Sequence, residues 1–254
     1  MKKVIANFFK RDLHKNIVSL KLGSYRNLRF SYKNIIMKRK SYDYTSEVAF
    51  FSSPRTNIGE LIYHLEGMDS VADLGCGRIS QLRFLPRNVY TYGVDAFKKD
   101  IQCAQKLKTH NEFIMDDVMH IDSHFGKKSI DACVAYDLIE HLTKKDGLRL
   151  LKKVESISRK KVIIVTPRGF LPQLSEEDGD LQEHLSGWDI DEMKRLGYTV
   201  YGLDGLSWLR GERHRLKYRP TALWAGISWI SQRLFCKHNP HFAATILCVK
   251  NLES

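Results

Sequence analysis

The chain has 254 residues, 43% of them apolar, which suffices for one α/β domain of ordinary size with a full core and excludes wholesale disorder. Its five cysteines are scattered and form no C-x-x-C pair, so we expect a reduced intracellular chain. No apolar run approaches the ~18–20 residues of a membrane span, and the first residues lack the apolar length of a secretory signal. We therefore expect a cytoplasmic protein.

Residues 1–40 carry nearly all of the net charge of +12. They contain twelve Lys and Arg and one acid, Asp12, which gives a net charge of +11. Leu13, Ile17 and Leu20 recur at helical spacing, so the sequence predicts a basic N-terminal extension over residues 1–45 with a short amphipathic helix. Three roles remain open for it: packing on the core, binding anionic lipid, or binding nucleic acid through basic and aromatic side chains.

Residues 46–254 are predicted to form one domain in which strands and helices alternate. An amphipathic helix is predicted between Pro54 and Gly67, and a short helix is expected to end at Pro86. Regular alternation favours a parallel sheet covered on both faces. The predicted strands are VADL, YTYGVD, EFIMDD, SIDACVAYD, KKVIIVTP, TVYGLDG and HFAATILCVKN.

The first predicted strand runs into a glycine turn, Gly75-Cys76-Gly77, and a helical pattern follows. Glycines suit such a turn because the backbone takes conformations that a Cβ disfavours and because a ligand can approach the main chain. Twenty residues after Gly75, the second strand ends in Asp95, where a carboxylate can bind both hydroxyls of a ribose. The third strand ends in Asp116 and Asp117, where an acid can accept a hydrogen bond from an adenine amino group.

These motifs resemble those of the class I S-adenosylmethionine (SAM) dependent methyltransferases of the type 11/23 kind, a microbial subgroup of unnamed substrate. The pattern D-x-G-x-G falls on Asp73, Gly75 and Gly77, and the likeness covers roughly residues 55–205. It implies a Rossmann-like seven-stranded class I methyltransferase sheet of order 3-2-1-4-5-7-6 with helices on both faces, and SAM as cofactor. An NAD site would explain Asp95 but neither Asp73 nor Asp117. The implied cofactor-binding residues are Asp73, Gly75, Cys76, Gly77, Asp95, Ala96, Asp116, Asp117, Val118 and Tyr136.

One position departs from the family pattern. The usual third glycine falls on Ile79, with Ser80 beside it. We therefore expect the following helix to lie further from the cofactor, or the turn to differ. A non-catalytic SAM-binding interaction protein is one alternative that this departure leaves open.

The segment DLIEHL after the fourth strand places Asp137, Glu140 and His141 at helical spacing, so we expect all three on one helical face at the ligand-binding edge. His141 is a candidate general base or substrate-orienting residue, and His184 is a second candidate. Some methyltransferases that act on catechol or ribose hydroxyls hold a divalent metal with a similar pattern. Asp137, Glu140, His141 and His184 are therefore an alternative metal-ligand set, although no metal is the first expectation.

Residues 168–190 form a long loop, which we interpret as a substrate lid. It carries Gln182, His184, Ser186 and Trp188, and the alternative role for His184 and Trp188 is anchoring the loop. Farther on, residues 220–236 are predicted to form an apolar helix whose stripe of Leu223, Ile227, Ile230 and Leu234 is buried against the sheet. Arginines on both sides leave open a membrane interface or a second subunit instead.

The sequence thus predicts a SAM-dependent methyltransferase that acts on an oxygen or nitrogen of a small-molecule, lipid or glycan acceptor. The basic extension and the apolar helix favour an acceptor at the membrane surface, with the protein peripheral to the membrane. The main alternative is an RNA methyltransferase that uses the basic extension. The sequence does not determine the oligomeric state.

Overall fold

The computed structural model describes residues 57–173, 183–211 and 216–252. The predicted extension over residues 1–45, as well as Gln182, lies outside the described residues. The strands are β1 Ser70–Leu74, β2 Tyr90–Asp95, β3 Glu112–Met115, β4 Ile130–Tyr136, β5 Ser158–Pro167, β6 Thr199–Leu206 and β7 Ala243–Asn251. The α-helices are α1 Asn57–His64, α2 Lys98–Leu107, α3 Ile121–His124, α4 Lys144–Ile157, α5 Ile190–Arg195 and α6 Thr221–Ser231.

The seven strands form one sheet in the order β3-β2-β1-β4-β5-β7-β6, which confirms the predicted topology. Strands β1 to β5 pair in parallel, while β7 lies antiparallel between β5 and β6. In β1, Leu74 is paired with Val94 of β2 on one side and with Ala135 of β4 on the other. The carboxyl ends of these neighbouring strands therefore reach the same edge of the sheet.

Helices cover both faces of the sheet. Because successive side chains of a strand point to opposite faces, neighbouring residues pack in different core clusters. Val71, Ala132 and Val134 pack on the face that α1 covers, in one core cluster. Ala72 and Cys133, one position along, pack on the face covered by α4 and α5. The prediction of helices on both faces is confirmed.

The short helix expected after the glycine turn is reduced to a single turn. Only a four-residue 3-10 helix, Gln81–Phe84, follows Gly77. Ser80 caps it by accepting a hydrogen bond from the Leu82 N–H, and Leu85 is already extended. A residue before proline is pushed out of the helical region, so Pro86 ends the turn before a full helix can form.

The expectation of a single helical face for Asp137, Glu140 and His141 is also wrong. Asp137 has a left-handed backbone with φ of 49°, and a 3-10 turn, Ile139–His141, follows it. Helix α4 begins only at Lys144, after Thr143 has capped it through a hydrogen bond from the Asp146 N–H. Asp137 therefore does not share a helical face with Glu140 and His141.

Helix α6 contradicts the predicted burial of its apolar stripe. Leu223 and Ile230 in the helix and Leu234 in the turn after it are exposed. The side facing the sheet is polar instead: Ser228 Oγ donates to the Asp204 carbonyl at 2.9 Å, and Gln232 Oε1 accepts from the Gly205 N–H at 3.2 Å. Within the described ranges, none of the helices combines the length and apolar character needed to cross a bilayer.

We predict that Gly202→Ala lowers the free energy of unfolding by about 1–3 kcal/mol, because a Cβ there would lie 2.1 Å from the carbonyl oxygen of Cys236. Chemical denaturation followed by circular dichroism measures the change. Gly226→Ala is the matched control: its Cβ meets no atom within 4 Å, and alanine favours a helix by up to about 1 kcal/mol. Equal stability of the two variants would contradict the packing of β6 against the segment after α6.

Candidate active site

The glycine turn lies at the carboxyl end of β1 with a backbone that requires glycine. Gly75 and Gly77 have φ of 67° and 56°, a region that side chains with a Cβ rarely adopt. The N–H groups of Gly75 and Cys76 donate to the Val94 carbonyl at 2.9 and 3.1 Å. The turn is therefore tied directly to β2.

Asp95 links the end of β2 to this turn. Its Oδ2 accepts a hydrogen bond from the Gly77 N–H at 2.8 Å, and its Oδ1 accepts one from the Phe97 N–H at 2.8 Å. Burial raises the pKa of this carboxyl, while the two N–H groups oppose the shift. The predicted ribose acid thus also holds the shape of the glycine turn.

Asp73 is buried below the turn, where two side chains contact its Oδ2. Ser80 Oγ donates a hydrogen bond to it, and Nε2 of the buried His110 lies 3.3 Å away. The third glycine of the family pattern corresponds to Ile79, one position before Ser80. Ser80 can therefore support Asp73 without entering the turn. No role for His110 could be predicted, because nothing in its spacing connects the start of β3 with Asp73.

The end of β3 brings the remaining predicted acids to the same edge, with local roles. Asp116 is hydrogen bonded to His124 and His120, and these contacts lower its pKa to about 2. Asp117 caps the next turn by accepting from the Met119 N–H at 2.8 Å, while Val118 is buried. Asp117 therefore lies just after the end of β3, and Asp116 is engaged within its own loop.

The other predicted cofactor residues surround the turn. Cys76 is buried, and this burial together with the Asp73 and Asp95 charges raises its thiol pKa far above the usual value. Ala96 is exposed after β2, and Tyr136 ends β4 half-buried. All ten predicted cofactor-binding residues therefore lie at one edge of the sheet, as the parallel register requires.

A second cluster lies beside β4 and β5, where residues 183–188, the end of the predicted lid loop, contact the 3-10 turn Ile139–His141. The Glu140 carbonyl accepts from the N–H groups of Leu185 and Ser186 at 2.8 and 3.0 Å. Trp188 is fully buried, and its Nε1 donates to the Ile139 carbonyl at 3.3 Å. Trp188 thus anchors the loop and does not reach the ligand edge.

This anchoring places His141 against His184. The two rings meet edge to face, with their centroids 4.8 Å apart. Nδ1 of His141 lies 3.1 Å from the Glu183 carbonyl, and Nδ1 of His184 lies 2.6 Å from the Leu171 carbonyl. Because a carbonyl oxygen can only accept, both Nδ1 atoms carry the proton in these hydrogen bonds.

Carboxyl groups line the floor next to the histidines. Glu140 is buried, accepts a hydrogen bond from Thr166 Oγ1 at 3.0 Å, and lies with the two histidines in a cluster whose ligand atoms are within 4.8 Å of one another. Asp137 lies outside that cluster. Burial raises the pKa of both carboxyls, with Asp204 adding to the shift of Asp137. Asp204, at the end of β6, was not identified from the sequence.

The fold and the cofactor edge define a Rossmann-like α/β enzyme. Residues 72–166 match the family model described as a methyltransferase domain. This match and the strand order support a SAM-dependent methyltransferase of class I, with SAM as its cofactor.

Solved structures support the fold. A SAM dependent methyltransferase from Archaeoglobus fulgidus has a TM-score of 0.53 at 15% identity, covering 83% of this chain and 100% of its own. The geranyl diphosphate C-methyltransferase from Streptomyces coelicolor A3(2) has a TM-score of 0.50 at 14% identity, covering 77% of each chain. Among curated proteins, no sequence matches the chain.

We predict that Asp95→Ala weakens the binding of SAM and of S-adenosylhomocysteine by about tenfold to a hundredfold, because it removes a charged acceptor for the ribose and a support of the Gly77 turn. Isothermal titration calorimetry measures both ligands. Asp122→Ala is the control, since this carboxylate is paired with Lys153 on the surface. Unchanged binding by the Asp95 variant would refute the predicted cofactor position.

Proposed function

We propose that the enzyme transfers the methyl group of SAM to an oxygen or nitrogen of a small-molecule, lipid or glycan acceptor, with His141 and His184 on the acceptor side. The histidine pair is the observation that carries this proposal. Its rings are set by hydrogen bonds to two backbone carbonyls and lie next to the ends of β4 and β5. These are the strands that adjoin the cofactor edge.

The chemistry requires little from the protein beyond placement and proton removal. The sulfonium of SAM is an activated methyl donor, so the acceptor atom must lie in line behind the methyl group with water excluded. With Nδ1 protonated, Nε2 is the basic nitrogen of each imidazole. An Nε2 atom of this pair takes the proton as an acceptor hydroxyl or amine attacks the methyl carbon.

The carboxyl groups near the histidines favour an uncharged or cationic acceptor over a nucleic acid. Burial, together with the charge of Asp204 at the end of β6, raises the pKa of Asp137 at the end of β4. A polyanionic backbone brought to this edge would add further negative charge. A carboxyl with a raised pKa can instead donate a hydrogen bond to a hydroxylated acceptor.

A divalent metal is a second candidate, favoured by the cluster of Glu140, His141 and His184. Two imidazoles and a carboxylate are a common ligand set for transition metals, and histidine ligands often donate Nδ1–H to a backbone carbonyl. A cation bound there would lower the pKa of an acceptor hydroxyl. Asp137, the fourth residue of the predicted set, does not join the cluster.

We expect His184→Ala and His141→Ala to lower kcat by about a hundredfold or more while leaving S-adenosylhomocysteine affinity unchanged, because the base acts only on the acceptor. The acceptor is found by incubating the enzyme with labelled SAM and small hydroxylated compounds, lipid extracts, glycans or RNA. His238→Ala, an exposed histidine after α6, is the control. Wild-type kcat in both variants, or selective labelling of RNA, would contradict the proposal.

A chelator distinguishes the two mechanisms. If the histidines act as bases, turnover survives dialysis against EDTA, and added Mg²⁺, Mn²⁺ or Zn²⁺ leaves the melting temperature unchanged. A bound metal would instead stabilise the folded protein by mass action and restore lost turnover. Glu140→Gln separates the cases further, because it would abolish the metal-dependent rise in melting temperature.

A further inference from the structure

The outer face of α6 and of the turn after it is an exposed apolar surface. Leu223 is 56% exposed, Ile230 50% and Leu234 76%, although each is a large aliphatic side chain. Exposed aromatic rings border the same region: Trp208, Tyr218, Trp229, Phe235 and Phe242. Contiguous apolar patches of this kind mark interaction sites in folded proteins.

The orientation of α6 reverses the usual arrangement of a surface helix, which buries its apolar side. Here hydroxyl and amide groups attach the helix to the end of β6. Ser228 Oγ is 2.9 Å from the Asp204 carbonyl, and Ser231 Oγ accepts from the Leu206 N–H at 3.3 Å. The helix is thus held through polar contacts, which leaves its apolar side available to a partner.

The charge around this surface is positive. Residues 216–242 contain four Lys and Arg and no Asp or Glu. Lys217, Arg219 and Arg233 are exposed beside the apolar side chains. Of the neighbouring acids, Glu60 is paired with Lys237 at 2.8 Å, and Asp204 lies 3.5 Å from Arg210. A partner for this face should therefore be both apolar and anionic.

The surface lies close to the acceptor side of the active site. Strand β6 runs parallel to β5, because both are antiparallel to β7, so its carboxyl end is at the ligand-binding edge. Asp204 connects the two regions: its carbonyl accepts from Ser228 in α6, and its charge acts on Asp137. A partner on α6 is therefore next to the path by which an acceptor arrives.

We propose that the apolar face of α6 rests on the surface of an anionic lipid bilayer. Leu223, Ile230 and Leu234 enter the acyl region, Trp229 lies at the boundary, and the exposed bases contact lipid headgroups. A helix of this length lies in the interface and does not span it. This proposal deepens the proposed function, because it states where the enzyme meets its acceptor. Only the inference that the acceptor is in the membrane rests on the proposed function.

Vesicle sedimentation of the full chain tests the surface without SAM or an acceptor, so its result is independent of the methyl-transfer assay. Vesicles of phosphatidylcholine mixed with an equal amount of phosphatidylglycerol are compared with vesicles of phosphatidylcholine alone. We expect binding to the anionic vesicles, with a blue shift of tryptophan emission. The triple variant Leu223→Gln, Ile230→Gln, Leu234→Gln should bind at least about tenfold more weakly.

Tyr90→Gln is the apolar control, because Tyr90 is exposed at the amino end of β2, at the opposite edge of the sheet. Retained S-adenosylhomocysteine binding confirms that the triple variant is folded. Equal vesicle binding by the triple variant and the wild type would assign membrane contact to another segment and overturn the proposal. The proposal would also be overturned if the wild type did not bind the vesicles. A second contradicting result would be a dimer, seen by analytical ultracentrifugation, that the triple variant abolishes while its vesicle binding stays unchanged.

Discussion

The parallel pairing of β1 with β2 and β4 is the constraint on which the cofactor site depends. It brings the Gly75 turn, Asp95 and Tyr136 to one edge without any direct sequence proximity. The hydrogen bond from the Gly77 N–H to Asp95 then links the turn after β1 to the end of β2. The carboxylate proposed to bind the ribose is therefore also one that stabilises the turn.

The proposed acceptor side is organised differently, by hydrogen bonds between irregular segments. Backbone hydrogen bonds join the 3-10 turn Ile139–His141 to the loop end at residues 183–188. The buried Trp188 side chain stabilises this contact by donating to the Ile139 carbonyl. Two imidazole rings meet as a result. Because few of these contacts belong to regular helices or strands, this side can vary in sequence without disturbing the sheet.

Apolar runs predicted the strands and the acids at their ends, because these are local patterns, whereas the sheet order followed from the resemblance to class I methyltransferases. The sequence did not allow the course of the chain after Asp137 to be predicted, since a left-handed residue within an apparently helical pattern leaves no periodic signal. The orientation of α6 also escaped prediction. Its apolar side chains indicate a helix face, but only the contacts of Ser228 and Gln232 determine which face turns inward.

Strand β7 separates β5 from β6 in the finished sheet, although it comes after both in the chain. During synthesis, β6 therefore has no place in the sheet until residues 243–251 have left the ribosome. Strands β1 to β5 can pair as they emerge, whereas the apolar side chains of β6 stay exposed until β7 is available. The last part of this domain to be assembled is thus the part that borders the acceptor side, which makes it the stage most dependent on protection by chaperones during translation.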